Sequence, residues 1–200
     1  MEFSASGFIY QTLIDPLLAG LREDVLLYIR PSDRIIDVAC GTGALSLSLA
    51  GKAFHVTGAD LSNDMIVTAA RSARKKGIMN VHFMVHNASR LSDLKDHKFD
   101  VAVTSMAIQQ FEEELAVQVI IGMRTIASKI IIADYNYPMP EGIPRWLAYT
   151  IEKLAGGDHY RNFMNFMKKG GIPHFAKRAG LTIASESVRS IGVFRTVVCE

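Results

Sequence analysis

Cysteine is nearly missing from this chain: Cys40 and Cys199 are the only two in 200 residues. Far apart, they make no C-x-x-C metal or redox motif and no disulfide framework. Both read as reduced thiols, which fits a cytoplasmic setting. Charge of one sign is also missing. Twenty-two Lys and Arg face 20 Asp and Glu, a formal net charge of +2. That is too small to announce a polyanionic partner, so nucleic acid is not expected. No apolar run reaches the ~18 residues that a membrane span needs. Met1-Glu2-Phe3-Ser4 lacks the basic and then apolar order of a secretory leader, so none is expected. Internal repeats, low-complexity tracts and linkers are absent as well.

What remains is ordinary globular composition, 49% hydrophobic and 21% charged. Two hundred residues suit one domain with a full-sized core. Residues 11–29 place Leu13, Ile14, Leu17, Leu18, Leu21, Val25, Leu26 and Ile29 at helical spacing, with Pro16 near a helix start or break. Strands are expected over 35–38, 54–59, 81–85, 101–104 and 129–133. Helices between them include one from Ser62, a good N-cap, to a stop at Gly77, and one over 112–126. Strands alternating with helices give βαβ units and a mostly parallel sheet. Pro138, Pro140 and Pro144 then lead out of the sheet. Helical stretches follow near 145–155, 158–168 and 173–179. Leu181–Val188 and Val193–Cys199, joined by four residues, suit an antiparallel hairpin.

The stretch from Ile35 to Ser46 organises the rest. A short apolar strand, Ile35 to Val38, stops at Ala39-Cys40-Gly41-Thr42-Gly43, and an apolar helical run follows. Strand, small-residue turn and helix form the nucleotide-cradling geometry of doubly wound folds. Small residues let backbone approach a ligand closely. A dinucleotide fingerprint wants a third Gly where Ser46 stands. Asp60 ends the second strand nineteen positions after Gly41, placed to accept hydrogen bonds from ribose hydroxyls.

The run Asp37-x-Ala39-x-Gly41-x-Gly43 resembles motif I of the class I S-adenosylmethionine (SAM)-dependent methyltransferases, acidic-x-Gly-x-Gly-x-Gly, with Ala39 in the first Gly place. Phe99-Asp100 opening a strand that closes on Ser105-Met106-Ala107-Ile108-Gln109-Gln110 is similar to the small-molecule branch of that family. The chain is similar to the type 11 and ubiquinone-menaquinone biosynthesis methyltransferase-like domains of that branch. There a His pair stands where this chain has Gln109-Gln110. Neither Asn-Pro-Pro-Tyr nor a Pro-Cys nucleophile is present, so the DNA-modifying branches are not matched.

The resemblance implies a three-layer α/β sandwich. Its Rossmann-like, doubly wound, seven-stranded, mostly parallel sheet ends in an antiparallel C-terminal hairpin. It implies one domain over 1–200, with an N-terminal helical segment over 1–30 and a lid insertion at about 138–171. SAM is the implied cofactor, S-adenosylhomocysteine the product and a small molecule the acceptor. The loop at Ala39, Gly41 and Gly43 would pass under the methionine and ribose, and Asp37 would fix the loop and the methionine amino group. Leu61 and Met65 would wall the adenine, although Met65 fits a core position equally well. Asn87-Ala88 stands where the family often has Asp-Ala against the adenine edge. Ser105 and the N-terminal Tyr10 complete the implied cofactor set.

The catalytic residue is unknown from sequence. Gly156-Gly157-Asp158-His159-Tyr160-Arg161-Asn162-Phe163 is the polar anomaly of the second half, and His159 and Tyr160 are weak candidates there. The alternative for this cluster is a helix start capped by Asp158. Trp146, Tyr135 and Tyr137 either line an acceptor pocket or pack the lid. The basic clusters at Arg71–Lys76, Lys168-Lys169 and Lys177-Arg178 read as solvated helix ends.

Two other functions compete. Tyr149-Thr150-Ile151-Glu152-Lys153 matches the Tyr-x-x-x-Lys of NAD(P)-dependent short-chain reductases, but that family's upstream Ser is missing. A non-catalytic SAM-binding protein would also carry an intact loop.

Overall fold

A computed structural model describes the backbone from residue 15 and the side chains from residue 18. In chain order the elements are α1 (Asp15–Leu27), β1 (Arg34–Val38), α2 (Ala44–Ala50), β2 (His55–Asp60), α3 (Asn63–Lys76) and β3 (Val81–Val85). A 3-10 segment (Ala88–His97) leads to β4 (Phe99–Ser105). A short 3-10 turn (Ile108–Gln110) precedes α4 (Glu113–Ile126) and β5 (Ala127–Tyr135). Then come α5 (Ile143–Ala155), α6 (Gly157–Lys169), α7 (Ile172–Arg178), β6 (Ile183–Arg189) and β7 (Phe194–Cys199).

The seven strands form one sheet in the order β3-β2-β1-β4-β5-β7-β6, with helices on both faces. The first five are parallel, with Ile36 opposite Thr57 on one side and Ala102 on the other. β7 runs antiparallel to both β5 and β6. Ile35, Ile36, Val101, Ala102, Val103 and Ile130–Ala133 are buried, as parallel strands covered on both faces must be. Each fully buried Ile or Val side chain contributes ~1.5–3 kcal/mol.

Local rules account for the boundaries. Ser62 caps α3, its hydroxyl accepting from Met65 N at 3.4 Å, and Gly77 stops it with a left-handed φ of 67°. α4 starts on Glu113 and Glu114, where carboxylates meet the positive helix end. α6 begins earlier than expected. Its cap is Gly156, and Asp158 sits inside the first turn, ion-paired to Arg161 at 2.8 Å. A φ of 73° at Gly156 and 51° at Gly157 starts the helix there, at a conformation other residues resist.

The chain order reverses between β1 and β4. β2 and β3 build outward on one side of β1, and β4 and β5 on the other. Loops leaving the C-terminal ends of β1 and β4 therefore part and leave a crevice.

Candidate cofactor and acceptor site

The crevice is a cavity of about 600 Å³. Its walls come from the turn after β1 (Asp37–Thr42), the end of β2 (Asp60–Ser62), the turn after β3 (His86–Ser89) and the end of β4 (Ser105–Ala107). Leu18 and Arg22 of α1 close one side, and Gln110, Phe111 and Leu115 another.

The turn after β1 alternates into the left-handed region, with φ of 57° at Ala39, 53° at Gly41 and 78° at Gly43. Its glycines do different jobs. A Cβ on Gly43 would sit 2.8 Å from both Ala69 and Phe83, so its smallness lets α3 and β3 close beneath the loop. A Cβ on Gly41 would meet nothing within 4 Å and would take up room on the cavity side. The cradle thus keeps one position bare of side chain where a ligand must come close.

Two buried or half-buried carboxylates hold this loop. Asp60 takes both of its neighbours by the backbone: Oδ2 accepts from Gly41 N at 2.8 Å, and Oδ1 accepts from Ser62 N at 2.9 Å. Each oxygen keeps a further lone pair, so the carboxylate can still accept from a diol. Asp37 is buried, and its Oδ2 accepts from the Ser46 hydroxyl at 2.5 Å. Burial pushes its pKa up to about 7, against the lowering pull of that hydroxyl. Ser46, the residue that departs from a dinucleotide fingerprint, is therefore the anchor of Asp37. Its partner was not recognised from sequence, because the contact spans a turn and depends on side-chain direction. Burial next to Asp37 and Asp60 also raises the Cys40 thiol, which keeps it protonated and unreactive.

Of the residues expected to hold a cofactor, the cavity gathers Asp37, Ala39, Gly41, Asp60, Leu61, Met65, Asn87, Ala88 and Ser105. Leu61 and Met65 are exposed apolar walls rather than core. Gly43 lies behind the loop and serves packing. Tyr10 lies outside the described residues. Asn87 differs from its expected role. Its Oδ1 already accepts from Ser89 N and Ser89 Oγ, both at 2.9 Å, in an Asx turn that caps the 3-10 segment. The amide that remains is the NH2, a donor rather than the acceptor expected for an adenine amino group.

His159 and Tyr160 do not reach the cavity, and no residue of 138–171 lines it. The segment expected as a lid is held to the ends of β4 and β5 by a buried polar cluster. Glu152 of α5 accepts from Tyr135 Oη at 3.0 Å and Gln109 Nε2 at 3.4 Å. His159 Nε2 lies 2.5 Å from the other Glu152 oxygen, so the imidazole is committed to a carboxylate inside the α5–α6 seam. Tyr160 packs toward Phe163. Asp134, buried beneath, accepts from the Gln109 and Tyr135 backbone N–H groups at 3.2 and 2.8 Å, and burial pushes it up to about 7. Of the glutamine pair only Gln110 faces the cavity, its Nε2 donating to Met106 O at 2.5 Å. Asn162 Nδ2 donates to Gln110 O at 2.8 Å, which ties α6 to the cavity rim.

Met106 holds a φ of 55° at the end of β4, an uncommon conformation for a side chain of this kind. Tyr135 is buried in the core, and Trp146 is on the surface. Tyr149 stacks edge-on against Phe163 at 5.0 Å, under Arg145, and Lys153 is exposed, so the Tyr-x-x-x-Lys spacing builds no reductase site.

Residues 35–128 match the model of a methyltransferase domain. A ubiquinone/menaquinone biosynthesis C-methyltransferase of Vibrio parahaemolyticus is 28% identical over 131 residues, 62% of this chain and 50% of that one. The chain thus spans half the length of this curated relative. A segment covering 30% of the chain matches an RNA methyltransferase of Methylococcus capsulatus at 39% identity, over 14% of that protein. Among solved structures, magnesium protoporphyrin IX methyltransferase of Synechocystis, with bound S-adenosylhomocysteine, has a TM-score of 0.64 at 21% identity, covering 100% of this chain and 88% of that chain. Residues 35–128 are thus similar to a methyltransferase domain, and the whole chain shares its fold with a solved methyltransferase that holds S-adenosylhomocysteine.

Proposed function

We propose that the chain binds SAM in the cavity at the β1–β4 switch point and moves its methyl group to a small-molecule acceptor. The observation that carries this reading is the convergence of the bare Gly41 turn, Asp37 and Asp60 on one cavity. Leu61 and Met65 offer apolar walls for an adenine, and Asp60 offers free lone pairs for a ribose diol. Asp37 sits where a methionine ammonium would pair with it, and such a cation would draw its proton off. Arg22 and Leu18 border the same space and would shield it from water.

When bound, SAM supplies a methyl group on a sulfonium, already activated toward in-line displacement. The chain's own task is then alignment. Ser105, Met106, Gln110 and Phe111 form the wall away from the adenine side and would orient the acceptor. His159 does not line this cavity, so no histidine of α6 is placed as a base beside the wall. The magnesium-porphyrin and quinone-pathway relatives favour a small acceptor over RNA, whose match is a short segment. Work in the cytoplasm fits the two free thiols.

Calorimetry with SAM and S-adenosylhomocysteine, with NADH as control, tests the cofactor. Labelled-methyl transfer to a panel of phenols, carboxylic acids, amines and a structured RNA tests the reaction. Tight SAM binding with transfer to a small molecule is expected. SAM binding without any transfer would favour the non-catalytic alternative, and preference for NADH would overturn both.

A further inference from the structure

Helix α5 buries Ala148 and the carboxylate of Glu152 and keeps Leu147, Tyr149 and Ile151 half-buried, while three large apolar side chains on its outer side face solvent. Ile143 is 79% exposed, Trp146 67% and Leu154 78%. With Thr150 between them they fall on one stripe about 80° wide at the helical period. An ordinary surface helix places these residues toward the core. Here the inward side already holds Ala148 and the Glu152 cluster with Tyr135, Gln109 and His159, and these three side chains are left outside.

Charge around the stripe is basic. Glu141 pairs with Arg145 at 3.8 Å, and Asp158 with Arg161 at 2.8 Å. Lys153 beside the stripe has no acidic partner among the described residues. Nor does Lys168, which shares the α5–α6 groove with Tyr137, Tyr149 and Met164. Apolar side chains including a Trp, edged by unpaired lysines, form the pattern of a helix that lies in a membrane interface. A second copy packed about a twofold axis would bring like charge to the seam.

We propose that α5 is a docking face for an anionic lipid surface. Ile143, Trp146 and Leu154 enter the headgroup boundary, and Lys153 and Lys168 meet the lipid phosphates. Nothing in this requires the methyl-transfer reading, and the test uses no cofactor.

Trp146 is the chain's single Trp, which makes it a reporter at the centre of the patch. The full chain is titrated with vesicles of phosphatidylcholine alone, and of phosphatidylcholine and phosphatidylglycerol in equal parts. A blue shift of Trp emission and loss of acrylamide quenching on the anionic vesicles are expected, weakening with salt. Ile143→Ser and Leu154→Ser keep the reporter. Each should weaken partition about tenfold, from the apolar area withdrawn. Lys153→Ala with Lys168→Ala should remove the preference for anionic vesicles. All these positions are exposed, and circular dichroism checks that each variant folds. Three outcomes would overturn the proposal: no shift on either vesicle, a shift that grows with protein concentration alone, or a Trp shielded from acrylamide in the free chain. The second result would assign the face to another copy, and the third to residues 1–14.

Discussion

Asp60→Ala separates the loop's anchor from the ligand's. In the free protein the substitution removes two charge-assisted bonds, to Gly41 N and Ser62 N. Each such bond contributes ~1.5–3 kcal/mol when dry. Asp60 is only half-buried, so water takes up part of that loss, and ~1 kcal/mol off global stability is expected. A bound ribose would lose its carboxylate as well, and the freed loop would have to be ordered again on binding. Together these should weaken SAM by ~2 kcal/mol or more, about thirtyfold. Asp60→Asn keeps one acceptor oxygen but turns an NH2 toward one of the two N–H groups, so its loss should be intermediate. Calorimetry with S-adenosylhomocysteine reads the affinity, and thermal melting without ligand reads the loop. If Asp60→Ala binds within threefold of the parent while melting near it, the loop does not depend on this carboxylate and the site assignment fails.

Two further outcomes concern protons. Asp37 has a pKa raised to about 7, so SAM affinity should fall as pH drops through that value and the carboxylate is lost. Ser46→Ala removes the hydroxyl that pulls this pKa down, which should move the midpoint of the affinity–pH curve upward; an unmoved midpoint would show that Asp37 is not the titrating group. Glu113 behaves oppositely. His174 above all, then Arg178 and Asn165, hold it down to about 2, against burial. Its stabilising effect is full above the ordinary 4.5 and is lost as pH falls toward 2. Glu113→Gln should cost ~1 kcal/mol at neutral pH and flatten the acid limb of stability. Equal acid limbs in the two proteins, read by urea unfolding, would contradict this.

The parallel half of the sheet was legible because buried strands and capped helices leave local marks: Ile35–Val38, Ser62 and Gly77 each act through near neighbours. The hairpin was legible from its four-residue connection. The cradle was legible for the same reason, since Gly41 and Asp60 are tied by the βαβ frame itself. What escaped depends on side chains meeting across elements. Ser46 reads as a small residue in a helix start, and only its direction makes it the partner of Asp37. His159 reads as a weak candidate base, and only the register of α5 against α6 places Glu152 against it. Asn87 reads as an acceptor until Ser89 is seen to occupy its oxygen. The position of the expected lid segment depends on the same level, and no residue of 138–171 lines the cavity. Prolines and glycines marked 138–171 as outside the sheet, but not which face of α5 would be buried.

Asp24 of α1 is buried against β6, with Arg189 Nε at 2.8 Å and the Ser187 hydroxyl also donating to it. The helix that carries Leu18 and Arg22 to the cavity is thus clasped by β6. β6 in turn has no sheet neighbour except β7, which slots in between it and β5. On the ribosome, the turn at Gly41 has its strands within reach once β4 has emerged. The cavity wall does not. Until Cys199 is out, β5 is an open edge and α1 has no clasp, so a nascent chain presents a half-built site beside an unprotected strand. The helix that brings Leu18 and Arg22 to the cavity is therefore secured only once β6 and β7 have joined the sheet.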